Sequence, residues 1–361
     1  MNEGVTEVFE AILLTCVHHI QAERTISGIY HLLTGKRSSQ TMQDAKGYAL
    51  EGFFGIYKSL ERHQLDHYFN QLEQKGMIET NDQQFVHLTE VGEKGYQEID
   101  ASAIAYFQGL TYHQMTPVFE KRLLLLVQTM TNITNNRRSF IPIIDDAPTQ
   151  SWVRGIYASY QGQTDSFVDS LHEELHTLLS GRTTREAYVF SSRLTGNGVI
   201  GLTYEQLSTE SGLSKEDVHL YLQHVYHYLL QKVRQYPSSF PILSQCIEGL
   251  GDSTLITQSA NRTYYYIKLG WTIDEIMKKR RLKKSTIQDH LVEAALVIPD
   301  FSIDSFISIE GQSLILSMTE SLETKRLKQI HQGLNGEFSY FQIRLTLAHH
   351  QHFSKEGTSY A

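Results

Sequence analysis

Two stretches of the sequence combine residue types at spacings that could do chemistry. The first is "HEELH" at 172–176, two histidines four residues apart with a glutamate after the first. On a helix this spacing puts both imidazoles on one face, the arrangement with which zinc proteases hold their metal and use the glutamate as base. The longer form of that site asks for a glycine and a third histidine, but Leu179 and Arg182 stand in those places. Glu186 follows too soon after the Gly181 turn to replace the missing ligand. With 17 histidines such a match arises by chance in roughly one chain of this composition in twenty, so the motif alone is weak. The expectation is therefore an amphipathic helix surface, with no metal and no other cofactor. His63/His67 and His349/His350/His352 read the same way, as surface or core histidines.

The second stretch is basic. Six of the seven residues from Lys278 to Lys284 are Lys or Arg, in a chain whose formal net charge is −8. The imbalance is local: residues 1–100 carry 8 Lys+Arg against 15 Asp+Glu and 201–260 carry 3 against 6, whereas 261–294 carry 8 against 4. A surface of that density attracts phosphate, because each cation that neutralises one releases a condensed counterion. Signals for covalent chemistry are missing elsewhere. The sequence holds no GxxxxGK[ST], no GxGxxG after a strand, no GxSxG and no cysteine in a nucleophile's setting. No enzyme is expected, and any motor role needs a partner that supplies the energy.

Composition suits a folded chain of two or three domains, 40% hydrophobic and 11% aromatic. The most apolar run, Leu123–Val127, is far too short to span a bilayer, and the N-terminus lacks the layout of a signal peptide. A cytoplasmic, nucleoid-associated protein without membrane contact is expected. Cys16 and Cys246 lie far apart among apolar neighbours, as reduced core thiols do.

The elements that must position the basic stretch are mostly helical. Apolar residues at helical spacing predict helices over Val8–Ile20, Tyr48–Leu60 and Leu65–Gln74, the last with Gly76 as C-cap. "MIET" (77–80) and "FVHL" (85–88) then form a two-stranded wing around "NDQQ", and "TEVGEKGYQEI" begins a closing helix. Together they predict a winged helix over 1–100. Ala101–Thr129 continues as helix with a break at Pro117, and 132–150 reads as a connection. Residues 101–150 thus form a helical linker, 151–250 a helical domain and 251–361 a C-terminal domain.

Two helix-turn-helix patterns share one grammar. In Leu202–Leu230, Thr203 and Gln206 form a capping box, "SGLS" supplies the turn, Ser214 caps the second helix, and Val218 and Leu222 point inward. In Trp271–Leu296, Thr272 with Asp274 and Glu275 begins the first helix, "RRLK" is the turn, and Ile287 and Leu291 anchor the second. Where the first pattern opens its second helix with Lys215, Glu216 and Asp217, the other has Lys284, Ser285 and Thr286. A recognition helix presents its first residues to the groove, where carboxylates meet phosphate repulsion. The 203–230 pattern is thus read as structural or protein-binding, and 272–296 as the nucleic-acid contact. Lys278, Lys279, Arg280, Arg281 and Lys283 are expected to hold the backbone, Lys284, Ser285 and Gln288 to reach base edges, and Thr286 to add a phosphate hydrogen bond. Lys36 and Arg37 in "TGKRSSQ" are a second, smaller candidate.

The stretch "ILLTCVHHIQAERTISGIYHLLTGKRSSQ", with "HYFNQLEQKGMIETNDQQFVHLTEVGEKGY", resembles the winged-helix RQC domain that follows the motor in RecQ-type helicases. The more specific pieces are "TGKRS", "LxxKGMI" and "HLTEVGEKGY". The region from Ser253 to His350, with "WTIDEIMKKRRLKKSTIQDHLVEA" and "GEFSYFQIRLTLAHH", is similar to the helix-turn-helix module at the C-terminus of some RecQ-type helicases. The order of the two ends resembles that of the YpbB-like proteins encoded beside a short RecQ-type helicase in Gram-positive bacteria.

The resemblance implies the missing C-terminal half of a split helicase, supplied as a separate polypeptide. It implies duplex contacts from the turn matching Lys36–Ser39 and from the wing matching Asn81–Gln84. Here the wing tip is short and polar, with Phe85 at its edge, and the zinc-binding region that precedes the domain in that family has no counterpart. The function expected is a non-enzymatic accessory factor in DNA repair or recombination. It would bind junction or duplex DNA through its C-terminal helix-turn-helix and dock a RecQ-type helicase. The alternatives are a sequence-specific helix-turn-helix transcription regulator and a pure protein scaffold. No particular oligomeric state is predicted.

Overall fold

The computed structural model describes residues 7–251, 256–298 and 300–353. Ser253 lies outside these, as does the side chain of His352. Among the described residues the N-terminal third runs α1 (Val8–Ile20), α2 (Ile26–Thr34), α3 (Ser39–Gly47), α4 (Arg62–Gln74), β1 (Ile78–Thr80), β2 (Val86–Leu88) and α5 (Glu90–Gln97). The middle carries α6 (Gly109–Tyr112), α7 (Thr116–Thr134), α8 (Ala147–Ser159), α9 (Thr164–Ser180), α10 (Thr184–Ser191), α11 (Tyr204–Ser211), α12 (Lys215–Gln235) and α13 (Pro241–Ile247). The C-terminal part holds α14 (Gln258–Lys268), α15 (Ile273–Arg280), α16 (Lys284–Val297), α17 (Ile309–Ser321), α18 (Leu327–Gly333) and α19 (Tyr340–Phe353). The protein is mainly α, with one small antiparallel sheet among the described residues, as the sequence predicts.

The chain forms two compact units that do not follow sequence order. One comprises the described residues of Met1–Thr15, Gly52–Glu61 and Glu93–Ser253. The other comprises those of Cys16–Glu51, Arg62–Gly92 and Thr254–Ala361.

The first unit is built on α7 and α12. Phe119, Leu123, Leu126 and Met130 of α7 and Val225, Tyr226, Leu229 and Val233 of α12 are all buried. Pro117 does not break a helix but opens one: it sits at the start of α7, where its missing N–H costs nothing. Upstream of it the expected helix is replaced by a 3-10 turn at Ala101–Ala103 and the short α6. The predicted helix at Tyr48–Leu60 is likewise a 3-10 turn at Glu51–Phe53 followed by irregular turns. Its apolar residues are buried as their spacing suggested, yet Gly55 turns the backbone to φ +68°. A Cβ on Gly52 would stand 2.6 Å from the Phe107 carbonyl oxygen, so 52–55 is a segment of close backbone packing.

The second unit contains the winged helix. β1 and β2 pair with Ile78 opposite Leu88 and Thr80 opposite Val86, and an isolated bridge from Thr25 to Phe85 extends the ladder. Asn81 shapes the wing by accepting from the N–H groups of Gln83 and Phe85, each at 3.0 Å. α2 and α3 are elements the apolar spacing did not predict. The α3 sequence, SQTMQDAKG, is polar, yet Thr41, Met42, Gln43 and Ala45 are buried. Both cysteines are buried free thiols, and burial pushes that of Cys246 up to about 12.

Candidate nucleic-acid interface

The C-terminal helix-turn-helix is assembled by local chemistry. Thr272 and Glu275 cap α15 reciprocally, Arg281 takes the left-handed conformation (φ +53°) that ends it, and Lys283 is the N-cap of α16. Ile276, Ile287 and Leu291 are fully buried and fix the angle between the helices. With the apolar side inward, Lys278, Lys279, Arg281, Lys283, Lys284 and Ser285 are all exposed. Thr286 and Gln288 are half-buried at the next turn. Lys283 makes no side-chain cap, unlike Ser214 of α12, which accepts from the Asp217 N–H. The first-turn N–H groups of α16 therefore face outward beside lysines, a setting that suits an anion.

Arg280 differs from its neighbours. Its guanidinium donates to the Ser259 carbonyl at 2.8 Å and the Ser259 hydroxyl at 2.9 Å, and it also bonds the Thr263 hydroxyl. It thus ties the end of α15 to the start of α14, where Thr263 also meets His290 Nδ1 at 2.8 Å. Arg280→Ala is expected to lower the stability of this unit by about 1–3 kcal/mol, whereas Lys279→Ala leaves it unchanged. Thermal unfolding of the two variants decides whether Arg280 is a brace or one more free cation.

Lys36 and Arg37 are exposed in the turn between α2 and α3, in the same unit. Lys36 Nζ lies 3.3 Å from His31 Nε2, and burial, Lys36 and Arg62 together hold the His31 imidazole below its usual range. Arg37 acts electrostatically on Glu293 of α16. The α3 helix packs along α16. Ser39 meets Asp289 at 3.2 Å and Lys46 meets the Leu296 carbonyl, seven residues on in each helix, so the two run roughly parallel. Arg344 of α19 closes the junction, bonding Asp289 at 2.8 Å and the Ser39 hydroxyl at 2.6 Å, while Gln43 donates to the Arg344 carbonyl at 2.9 Å. Parallel packing puts the Lys36–Arg37 turn and the basic start of α16 at one end of the pair.

At the edge of the wing the one aromatic side chain is engaged by protein. The Arg326 guanidinium lies 4.6 Å from the centre of the Phe85 ring and also bonds the Ala22 carbonyl. Asn81–Gln84 is exposed and polar.

The middle helix-turn-helix forms as its sequence predicts, with the Thr203–Gln206 capping box, Gly212 at φ +72° and Ser214 as N-cap. Its second helix begins inside the first unit. Asp217 is fully buried and accepts the Phe9 N–H at 2.9 Å, and His219 stacks on Tyr57 at 4.3 Å while donating to the Ile56 carbonyl. The face that a recognition helix would present is thus occupied by protein.

At 172–176, His172 and His176 are exposed with rings stacked 5.9 Å apart. Glu174 turns inward and accepts from the Ile242 and Leu243 N–H groups at 2.8 and 2.9 Å, capping the start of α13. Among the described residues no group of three His, Cys, Asp or Glu is placed to hold a metal, and no helix is long and apolar enough to cross a membrane.

Comparison with known proteins agrees with this anatomy. The RQC domain model matches residues 5–105, and a helix-turn-helix domain model matches 259–347. Protein YpbB of Bacillus subtilis (strain 168) is 30% identical over 354 residues, covering 94% of this chain and 96% of that protein. No solved structure matches.

Proposed function

Because the chain belongs to the YpbB family, we propose that it is a non-enzymatic accessory factor that binds DNA and holds a RecQ-type helicase at a junction during repair or recombination. The observation that carries the DNA half is the set of exposed cations at the start of α16, next to uncapped helix N–H groups and in the same unit as the RQC winged helix. The helicase half rests on the RQC domain, which in RecQ-type helicases follows a motor. Tethering a motor to a DNA-bound factor raises its effective concentration at the junction. Its processivity then depends on salt more steeply with this protein present than without it.

The helicase docks on the first unit in this reading. Gln128 holds residues 141–143 by donating to the Ile141 carbonyl and accepting the Ile143 N–H, both at 3.0 Å. Thr131, one turn on, accepts the Asn197 N–H at 3.2 Å. Two loops are therefore pinned to one face of α7, and they expose Ile141 by 89%, Ile200 by 85% and Val199 by 62%. Arg137 and Arg138 beside them have no ion pair among the described residues. Apolar side chains rimmed by free arginines suit an apolar segment flanked by carboxylates on the motor protein.

A pull-down of the tagged protein from native cytosol with nuclease added is expected to retain a RecQ-type helicase, and Ile141→Asp with Ile200→Asp is expected to release it. Retention that disappears with nuclease means DNA was the only link. Absence of any helicase removes the accessory reading and leaves sequence-specific DNA binding to be tested.

A further inference from the structure

The outer face of α14 lies outside the α15–α16 helix-turn-helix pair, and its residues are unusual for a solvated helix. Tyr265 is 60% and Leu269 56% exposed, Arg262 and Lys268 are exposed, and Tyr266 lies half-buried against Trp271 with ring centres 5.0 Å apart. Tyr265 and Tyr266 meet edge to face at 5.8 Å. Arg262, Tyr265/Tyr266 and Leu269 recur at three- and four-residue spacing and form one stripe.

The place of that stripe is fixed by Arg280. Its bonds to Ser259 and Thr263 hold the end of α15 against the start of α14, so Arg262 and Tyr266 both act electrostatically on its guanidinium. The exposed Lys278, Lys279 and Arg281 on either side of Arg280 therefore border the aromatic stripe. Lys268 lies 5.6 Å from the Tyr264 ring centre, adding a cation on the same helix. Exposed rings among unpaired cations match a single strand, whose unstacked bases need a flat apolar surface while its phosphates need positive charge. A duplex hides those base faces, whereas a single strand offers them beside its phosphates.

We infer that the outer face of α14 is a single-stranded DNA subsite, in which a base stacks on Tyr265 and the adjoining phosphates are taken by Arg262, Lys268, Lys278, Lys279 and Arg281. The inference rests on the DNA-binding reading above and refines it: the protein recognises a duplex that continues into a single strand.

The test compares a blunt duplex with the same duplex carrying an oligo-dT tail, by fluorescence anisotropy on the full chain. The tail is expected to tighten binding by roughly tenfold. Tyr265→Ala should lose that gain and keep the blunt-duplex affinity, and Tyr265→Phe should retain both, since phenylalanine still stacks. Equal affinity of wild type for blunt and tailed DNA overturns the subsite and leaves duplex binding standing. A Tyr265→Ala protein that keeps the gain also overturns it, and one that loses the helicase instead assigns the face to protein docking. Loss of the blunt duplex together with the tail in Tyr265→Ala makes the ring part of the general DNA surface and ends the claim of a separate site. If neither DNA binds wild type, the whole DNA-binding reading fails with it.

Discussion

Replacing Lys278, Lys279, Arg281, Lys283 and Lys284 by glutamine is expected to lower duplex affinity by about a thousandfold at physiological salt, and the slope of log affinity against log salt by about four. All five side chains are exposed in one short segment that turns between two helices whose angle is fixed by buried Ile276, Ile287 and Leu291. Every cation removed from the phosphate path leaves about 0.9 of a counterion on the DNA that binding would have released, so the slope measures the number of phosphates engaged independently of the affinity itself. Arg280 is left in place because its removal would loosen α14 from α15 and confuse loss of charge with loss of fold. Lys36→Gln with Arg37→Gln should reduce the slope by at most about two, and less if Arg37 is already partly neutralised by Glu293. A fivefold variant that binds with unchanged slope would move the DNA path away from α16. One that binds no DNA but still captures its protein partner would separate the two functions.

Elements closed by their own residues were legible in the sequence. The two helix-turn-helix units are defined by capping boxes at Thr203–Gln206 and Thr272–Glu275, interactions that span three residues and need no tertiary partner. The density of charge at 278–284 was equally plain, and so was the acid at the start of α12 that argued against a DNA role there. What spacing alone could not tell is that Asp217 is buried to hold the N-terminal helix through the Phe9 N–H, an interaction across 208 residues.

The illegible parts share a cause. The α3 helix lacks an apolar stripe because its buried residues mix Met42 and Ala45 with Thr41 and Gln43, and the groups that satisfy Ser39, Gln43 and Lys46 lie 250 to 305 residues away on α16 and α19. Nothing in a local window distinguishes such a helix from a loop. At Tyr48–Leu60 the mismatch runs the other way: apolar residues recur at helical spacing and are buried, but Gly52 and Gly55 let the chain pass close to 107–109 in turns. Arg280 reads in the sequence as one of six equivalent cations, since only the fold reveals that Ser259 and Thr263 stand opposite it.

Acid should destabilise the first unit well above the pH at which ordinary carboxylates titrate, because its core depends on neutral histidines. His227 Nδ1 accepts the Gln108 N–H at 3.0 Å, and Nε2 has no partner among the described residues. A proton on Nδ1 would face that donor and add charge beside His224 and His113. Burial first, then those two histidines, push His227 down to about 3. His224 is also lowered, chiefly by burial, although its Nδ1–H donates to Glu186 at 2.7 Å. Glu186 is held near 2, against its own burial, by His224, by Arg182 at 2.7 Å and by Thr183. For a base whose folded pKa is depressed, the unfolded chain takes up the proton first, so stability falls as pH drops from about 6.5 towards 3. Glu186 adds its own loss only below about 4.5, as pH falls towards 2. Glu120 and Glu174 act in the opposite sense, since burial raises both and their contribution is largest in acid. At about 1.4 kcal/mol per unit, His227 alone accounts for roughly 3–5 kcal/mol across its whole window and about 2 kcal/mol of it between pH 6.5 and 5, where the two raised carboxylates act against the loss as their folded forms take up protons ahead of the unfolded chain. Denaturant midpoints measured from pH 7.5 to 5 should fall steeply for wild type and more gently for His227→Gln, which offers the Gln108 N–H a carbonyl that does not titrate. Identical slopes would mean that His227 takes its proton in the folded protein as readily as in the unfolded chain, and that the tightly packed histidines of α12 are not what makes the fold sensitive to acid.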